Sequence, residues 1–165
     1  MNKLAILVLL FGFMIPISGC QNAQVTEEEE HDGHHSMMMG DIQETTASAE
    51  VLPTFLDDYH ESITPIYERV PHYQDLLETM PCYCGCGESV GHRSSYDCFV
   101  HAQTEDGEIT WDDHGAKCGV CLEIAHASMN LYDEGMSPQD IRQLIDKTYS
   151  EGYAPPTATP MPEDV

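Results

Sequence analysis

The sequence is poor in basic residues. Six lysines and arginines stand against 29 aspartates and glutamates among 165 residues, which gives a formal net charge of −23. A surface of this kind repels polyanions, so we expect neither nucleic acid nor anionic lipid headgroups as binding partners. Cations and basic proteins remain compatible with the charge, and solubility accounts for most of it.

Nucleotide-binding and hydrolytic motifs are absent, and large hydrophobic side chains are few. The chain has no glycine-rich phosphate loop and no nucleophile elbow, so no pattern indicates nucleotide binding or a serine hydrolase. One tryptophan, four phenylalanines and few large aliphatic residues provide little material for a core. Small domains with thin cores commonly need disulfides or a metal ion for stability.

The N-terminal apolar run from Leu4 to Ile17 is too short to span a membrane and has the length of a signal-peptide core. It leads into Ile-Ser-Gly-Cys at positions 17–20, which resembles a bacterial lipobox. We therefore predict a lipoprotein signal peptide over residues 1–19. Acyl chains on Cys20 would anchor the protein in the cell membrane, on its extracytoplasmic face. An ordinary secretory signal with a chance cysteine is the alternative.

Residues 20–50 are predicted to form an acidic tether. The segment has almost no large apolar residues and contains four consecutive glutamates, so it cannot bury enough surface to fold. It also carries imidazole and thioether groups, which together suit copper. This pattern predicts a secondary site of metal capture, against the alternative of incidental polar residues, at His31, His34, His35, Met37, Met38 and Met39.

Residues 51–153 are predicted to form the folded domain, and residues 154–165 a disordered proline-rich tail. Apolar residues recur at helical spacing over much of the domain, and Ser137-Pro138 is a strong helix start. A longer helix is expected from Lys117 to Asp133, with Cys118 and Cys121 at its beginning. The predicted fold class is mainly α: a small cysteine-rich helical domain with irregular loops, stapled by metal or disulfides.

Six cysteines remain once Cys20 is assigned to the lipid. An even number of thiols outside the cytoplasm can bind metal, form disulfides or exchange electrons. For metal, thiolates alone favour zinc or Cu(I), whereas added histidine favours zinc or Cu(II). We predict a composite copper or zinc site drawn from Cys82, Cys84, Cys86, Cys98, Cys118 and Cys121, assisted by His92 or His101.

Two other uses of the thiols stay open. Three disulfides are allowed by the compartment, and six cysteines permit fifteen pairings among which sequence cannot choose. Alternatively, Cys118 and Cys121 form a Cys-x-x-Cys pair at a helix start beside Lys117, where the pKa of a thiol is lowered and redox exchange becomes possible. Apart from this redox alternative, no catalytic residue is predicted, and an enzymatic role is not expected.

Four segments together resemble the bacterial family named for its PCYCGC motif. They are Met80–Gly87 with the motif itself, Val90-Gly91-His92, Asp97–Val100 and Cys118–Cys121. The resemblance implies a secreted protein or lipoprotein and covers nearly the whole predicted domain, but it implies no activity. A weaker local similarity links the region from Cys118 onward to the thiol-oxidoreductase subunit of cytochrome c maturation.

The remaining polar candidates are interpreted as ordinary structural residues. His60 and His72 are expected at the surface or packed on helices, whereas the roles of His114 and His126, which stand near the cysteines in the sequence, stay open. The neighbouring acids Asp112 and Asp113 are expected to be solvated charge, not an acid–base pair.

Overall fold

The computed structural model describes residues 40–163 and shows a mixed α/β fold. The expectation of a mainly α domain is correct for the helices but missed a three-stranded antiparallel sheet. The strands are β1 (Gln43–Thr46), β2 (Val100–Gln103) and β3 (Ile109–Asp112). The α-helices are α1 (Thr64–Arg69), α2 (Gln74–Leu77), α3 (Gly87–Val90), α4 (His114–Lys117), α5 (Gly119–Asp133) and α6 (Pro138–Thr148). Short 3₁₀ helices lie at Thr54–Asp58, Val70–Tyr73 and Tyr96–Cys98.

Strand β3 lies at the centre of the sheet, between β1 and β2. Gln43 of β1 is paired with Asp112 of β3, although 69 positions separate them in the chain. The expected start of the folded region at residue 51 is therefore too late, because β1 falls within the predicted tether. On the other side, the register between β2 and β3 shifts at His101, which is the extra residue of a β-bulge.

Helices α5 and α6 begin close to where the sequence predicts. The Ser137 hydroxyl accepts a hydrogen bond from the Asp140 amide, and Pro138 occupies the first helical position. Helix α5 starts at Gly119, directly after Cys118, and runs for 15 residues. None of the helices within residues 40–163 has both the length and the hydropathy that a membrane span requires.

Helix α5 contributes to two hydrophobic clusters. The first lies between the sheet and one face of α5, is built around Tyr67, Phe99 and Trp111, and includes the sulfurs of Cys82, Cys98 and Cys121. The second contains Ile124 of α5 together with side chains of α2 and α6. These three cysteines thus form part of the hydrophobic core itself.

The proline-rich segment after Tyr153 packs along the motif loop in an extended conformation. The Ala154 amide donates to the Tyr83 carbonyl, and the Thr157 amide donates to the Cys82 carbonyl. Arg142 of α6 holds the same segment through the Thr159 hydroxyl. The expectation of a disordered tail is therefore corrected for residues 154–163. This segment belongs to no helix or strand, so no periodicity in the sequence indicates how it packs.

Several predicted features lie outside the described residues. These are the signal peptide, the lipidation residue Cys20, most of the tether and its metal-capture residues His31, His34, His35, Met37, Met38 and Met39.

Candidate metal centre

The first residues of the PCYCGC loop turn their side chains toward different parts of the domain. Residues 81–83 lie outside regular secondary structure, and the contacts of Tyr83 and Cys82 show where each side chain packs. Tyr83 faces α6, where its hydroxyl donates to Asp146 at 2.7 Å and its ring stacks on Tyr149. Cys82 faces the opposite way, into the first cluster. Gly85 then turns the chain with a φ of 82°, a left-handed conformation that glycine adopts freely.

The turn at Gly85 curls the loop around the sulfur of Cys84. The Cys84 sulfur accepts a hydrogen bond from the Cys86 amide at 3.3 Å and lies 3.0 Å from the Cys82 sulfur. Binding of one metal ion by a Cys-x-Cys pair requires such a curl, because an extended pair holds its sulfurs too far apart.

Three further cysteines approach the loop from other elements. Cys118 is the residue before α5, and Cys121 follows one helical turn later. The Cys121 sulfur lies 3.8 Å from that of Cys82. Cys98, at the end of a 3₁₀ helix, is completely buried and places its sulfur 3.9 Å from Cys82.

A rigid corner between β3 and α4 presents His114 to these sulfurs. The buried Tyr67 hydroxyl donates to the Asp112 carbonyl at 2.8 Å and accepts from the Ala116 amide at 3.0 Å. The Asp112 carboxylate accepts from the His114 amide at 2.9 Å. Gly115 lets the corner approach closely, because a Cβ there would lie 2.4 Å from the Phe99 ring.

Asp112 and Asp113 are each only 1 % exposed, so the expectation of solvated charge is wrong. Asp113 accepts hydrogen bonds from the Ile42 amide at 2.7 Å and the Tyr59 hydroxyl at 2.9 Å. Lys117 supplies a positive charge 2.7 Å away. The acids are buried because pairing of β1 with β3 covers the corner, which the isolated sequence segment does not reveal.

His114 has the arrangement of a metal-binding histidine. Its Nε2 lies 3.8 Å from the Cys84 sulfur, and its Nδ1 lies 3.1 Å from the Asp41 carboxylate, which Lys117 also contacts. The hydrogen bond with Cys84 and the charge of Asp41 raise the pKa of His114 to about 9, against the effect of burial. A carboxylate on one ring nitrogen orients the other nitrogen toward a metal, as in many zinc sites.

The side chains fall into two groups that share one cysteine. In each group every pair of potential ligand atoms lies within 4.8 Å: Cys84, His114, Cys118 and Cys121 form the first, and Cys82, Cys98 and Cys121 the second. Two sulfurs bound to one tetrahedral ion at about 2.3 Å are about 3.8 Å apart. The sulfur separations of 3.8 and 3.9 Å match this value. We call these five cysteines and His114 the Cys/His cluster.

Hydrogen bonds between the thiols of the cluster shift their pKa values in different directions. Hydrogen bonds from Cys118 and Cys121 lower the pKa of Cys84 to about 4. Hydrogen bonds with Cys121 and Cys82 lower the pKa of the buried Cys98 to about 7. The pKa of Cys121 is raised, because its proton is shared first with Cys118 and then with the other sulfurs. The lowered pKa values of Cys84 and Cys98 favour thiolates at these two positions, whose charge a cation would neutralise.

The structure brings together five of the eight predicted ligands. Cys86 lies outside both groups, and burial followed by the charge of Cys84 raises its pKa to about 11. His92 packs edge-on against the His114 ring with centroids 4.8 Å apart, in a separate group with Asp41 and Asp112. All six cysteines of the described region are free thiols.

The assignment of His101 as a ligand is corrected, and His114 was missed. His101 is exposed on β2, because the chain becomes a strand directly after Cys98 and the helical spacing between these two residues never forms. His114 stands four residues before Cys118, but α4 ends at Lys117 and Cys118 has an extended backbone, so the two residues do not share a helical face and their spacing gives no signal.

A family model described as "Protein of unknown function with PCYCGC motif" matches residues 7–162. The chain belongs to this PCYCGC family. The matched region contains every residue of the Cys/His cluster, and the family description assigns no activity. No curated protein and no solved structure matches the chain. The local similarity to the cytochrome c maturation subunit remains a prediction.

Proposed function

We propose that this PCYCGC-family protein is a lipid-anchored, extracytoplasmic protein that binds copper or zinc through its Cys/His cluster and buffers or transfers the ion. The observation that supports metal binding is the convergence of five free thiols and one imidazole. Thiolate and imidazole are the ligands that zinc and copper prefer, whereas calcium and magnesium prefer oxygen. The lipid anchor rests on the lipobox-like sequence that ends at Cys20.

The ligand set is consistent with both metals. Three thiolates and one imidazole make a complete tetrahedral zinc site, and the three buried thiols Cys82, Cys98 and Cys121 suit Cu(I). The acidic surface attracts cations toward the protein. The tether histidines and methionines would add further capture sites, because imidazole and thioether groups both bind copper.

Competition titration tests the metal site. The reduced full chain is titrated with Zn²⁺ and, separately, with Cu(I) against a chromophoric chelator. We expect His114→Ala to weaken binding at least about 10-fold, because it removes a ligand and the Asp41 support behind it. His101→Ala, an exposed histidine of the same domain, is the matched control and should bind like the wild type. Equal affinities for these two variants would refute the site.

Membrane anchoring is tested separately. Cells that express the protein are labelled with a fatty acid, fractionated and probed for the chain. We expect label in the membrane fraction and its loss in Cys20→Ala. Release of the unlabelled wild type into the medium would contradict the anchor and leave the metal site unaffected.

Thiol–disulfide exchange is the second candidate function. It is favoured by the pKa of Cys84, about 4, beside the Cys82 sulfur at 3.0 Å, since a low-pKa thiolate next to a second thiol is typical of exchange sites. Incubation in an oxidising glutathione buffer, followed by intact mass analysis, separates the readings. Rapid, reversible loss of about 2 Da per bridge supports exchange, whereas stable loss of about 6 Da without metal indicates an interaction module stapled by three disulfides.

A further inference from the structure

The two groups of the Cys/His cluster each have the composition of a metal site. The first offers three sulfurs and the His114 Nε2, which complete the coordination of one tetrahedral ion. The second offers three sulfurs, those of Cys82, Cys98 and Cys121. Two of the sulfur pairs in the second group are 3.8 and 3.9 Å apart, close to the separation of about 3.8–4.0 Å expected for tetrahedral or trigonal coordination at 2.3 Å.

The two groups are adjacent and have one sulfur in common. Cys121 belongs to both, and the Cys82 sulfur of the second group lies 3.0 Å from the Cys84 sulfur of the first. A thiolate sulfur has enough lone pairs to bind two ions at once. Ions in the two groups would therefore be neighbours joined through the Cys121 sulfur.

A single ion in the first group would leave Cys82 and Cys98 without a role. Both are buried, with exposed fractions of 2 % and 0 %. One divalent ion balances the charge of two thiolates, whereas two divalent ions balance four of the five. Uncompensated charge is expensive to bury, so the ligand charge favours a second cation.

The surrounding side chains do not provide that compensation. Lys117 is the nearest lysine to the corner, and its ammonium is already paired with Asp41 and Asp113. Cations bound by the sulfurs would supply that compensation.

We infer that the Cys/His cluster is a dinuclear centre in which the Cys121 thiolate bridges two ions. One ion is bound by Cys84, His114, Cys118 and Cys121, and the other by Cys82, Cys98 and Cys121. This inference rests on the proposed metal-binding function and deepens it, because it fixes the stoichiometry and the ligands of each ion. The three-thiolate site is the one suited to Cu(I), and the site with histidine is suited to zinc or copper.

Native mass spectrometry of the full chain tests the stoichiometry. The protein is reduced, loaded with excess Zn²⁺ or with Cu(I) in separate arms, freed of excess metal and sprayed from detergent. A tether variant with all of His31, His34, His35, Met37, Met38 and Met39 replaced by Ala removes the proposed tether capture sites, so that bound ions belong to the described domain. We expect two ions of at least one of the metals per chain.

The outcomes separate the inference from the function on which it rests. One bound ion would overturn the dinuclear centre and leave metal binding intact. No bound ion with either metal would overturn both. A mass excess that includes inorganic sulfide would indicate an iron–sulfur cluster and would also overturn the inference. A Cys82–Cys98 disulfide, visible as a loss of about 2 Da under denaturing conditions, would do the same.

Ligand variants test the bridge. Cys98→Ser and Cys118→Ser each remove a ligand of one group alone, and each should retain one ion. Cys121→Ser removes the shared sulfur and should retain at most one. Cys86→Ser is the matched control from the same loop, lies outside both groups and should retain two. Two ions in Cys121→Ser would refute the bridge, and the wild-type count decides the stoichiometry even where a variant folds poorly.

Discussion

At the scale of single residues, two cysteines of one loop and two histidines of the domain have the same chemistry but different surroundings. Cys84 and Cys86 belong to the same loop and are both half-buried. Cys84 accepts hydrogen bonds from neighbouring thiols, whereas Cys86 faces the charge of Cys84 without such donors. His101 and His114 differ in the same way: the first is exposed on a bulge and the second is held between a carboxylate and a thiol.

This contrast predicts different alkylation of two cysteines in the metal-free, reduced protein. The pKa of Cys84 is about 4 and that of Cys86 about 11, so at pH 6 the thiolate fraction of Cys84 is roughly five orders of magnitude higher. A Brønsted coefficient of about 0.4–0.5 makes the Cys84 thiolate intrinsically less reactive by roughly three orders. We therefore expect Cys84 to react on the order of 100-fold faster with iodoacetamide at pH 6.

Peptide mass spectrometry after short reagent pulses measures both rates in one sample. Between pH 6 and 9 the Cys84 rate should stay flat, because that thiol is already ionised, while the Cys86 rate rises about tenfold per pH unit. A Cys84 rate that climbs with pH in parallel with Cys86 would contradict the proposed polarisation of the cluster.

At the scale of elements, the corner between β3 and α4 decides whether His114 reaches the sulfurs. Helix α4 has only four residues, and its position is set by Tyr67, by Asp112 and by contact of Gly115 with Phe99. Such a short helix has no stability of its own, since isolated helices of this length do not form in water. Its placement therefore depends on tertiary packing.

Gly115→Ala tests this dependence. The added methyl group would meet the Phe99 ring at 2.4 Å and the Cys98 carbonyl at 3.0 Å, so the corner must move or the core must open. Overpacking of this kind costs about 1–3 kcal/mol, and we expect urea unfolding to show a loss in that range together with weaker metal binding. Gly119→Ala is the control, because nothing lies within 4 Å of its Cβ position and it begins α5.

The control variant should be neutral or slightly more stable than the wild type, since alanine favours a helix over glycine. If Gly115→Ala were as stable as Gly119→Ala and bound metal normally, the close approach of the corner would not be needed for the site.

The elements also show why some of this architecture was predictable and some was not. Helices α5 and α6 carry local signals, such as the Ser137 cap and the apolar stripe after Cys118, and local signals can be read from sequence. The three strands are four residues long, too short for a clear alternation, and β1 finds its partner β3 more than 60 positions away. Pairings across such distances depend on the assembled core.

The residues of the candidate site also divide into those that the sequence indicates and those that it does not. Five of its cysteines are among the six that residue type and spacing indicate as candidate ligands. His114 and the supporting Asp41 could not be assigned, since their relation to Cys84 exists only once β1 has joined the sheet. The bulge at His101 likewise appears only in the paired strands.

At the scale of the whole molecule, the Cys/His cluster joins parts of the chain that are distant in sequence. Cys82 and Cys84 come from the motif loop, Cys98 from the segment before β2, and Cys118 and Cys121 from the start of α5. Three of these sulfurs belong to the main hydrophobic cluster, which also contains five buried aromatic and eight buried non-aromatic side chains. Metal bound by these cysteines would link the motif loop, the segment before β2 and the start of α5.

Removal of metal should therefore lower the stability of the entire domain. A ligand present at 100 times its Kd stabilises the folded state by about 2.7 kcal/mol, which for a domain of this size raises Tm by roughly 10 °C. We expect Zn²⁺ or Cu(I) to produce such a shift in calorimetry and a chelator to reverse it. Mg²⁺ is the control and should have little effect, because it prefers oxygen ligands.

The same shift should depend on pH with a defined sign. Metal binds the thiolate form, so protons compete with it and the increase in Tm must shrink as pH falls. The pKa of His114 is about 9, that of Cys98 about 7 and that of Cys84 about 4, so protons begin to compete at His114 below about pH 9 and the loss should deepen through pH 7 toward pH 4. Calorimetry at pH 8, 6 and 5 with and without metal measures this decline. A shift in Tm that is constant over this range, or equally large with Mg²⁺, would show that the stabilising ion is not bound by thiolates.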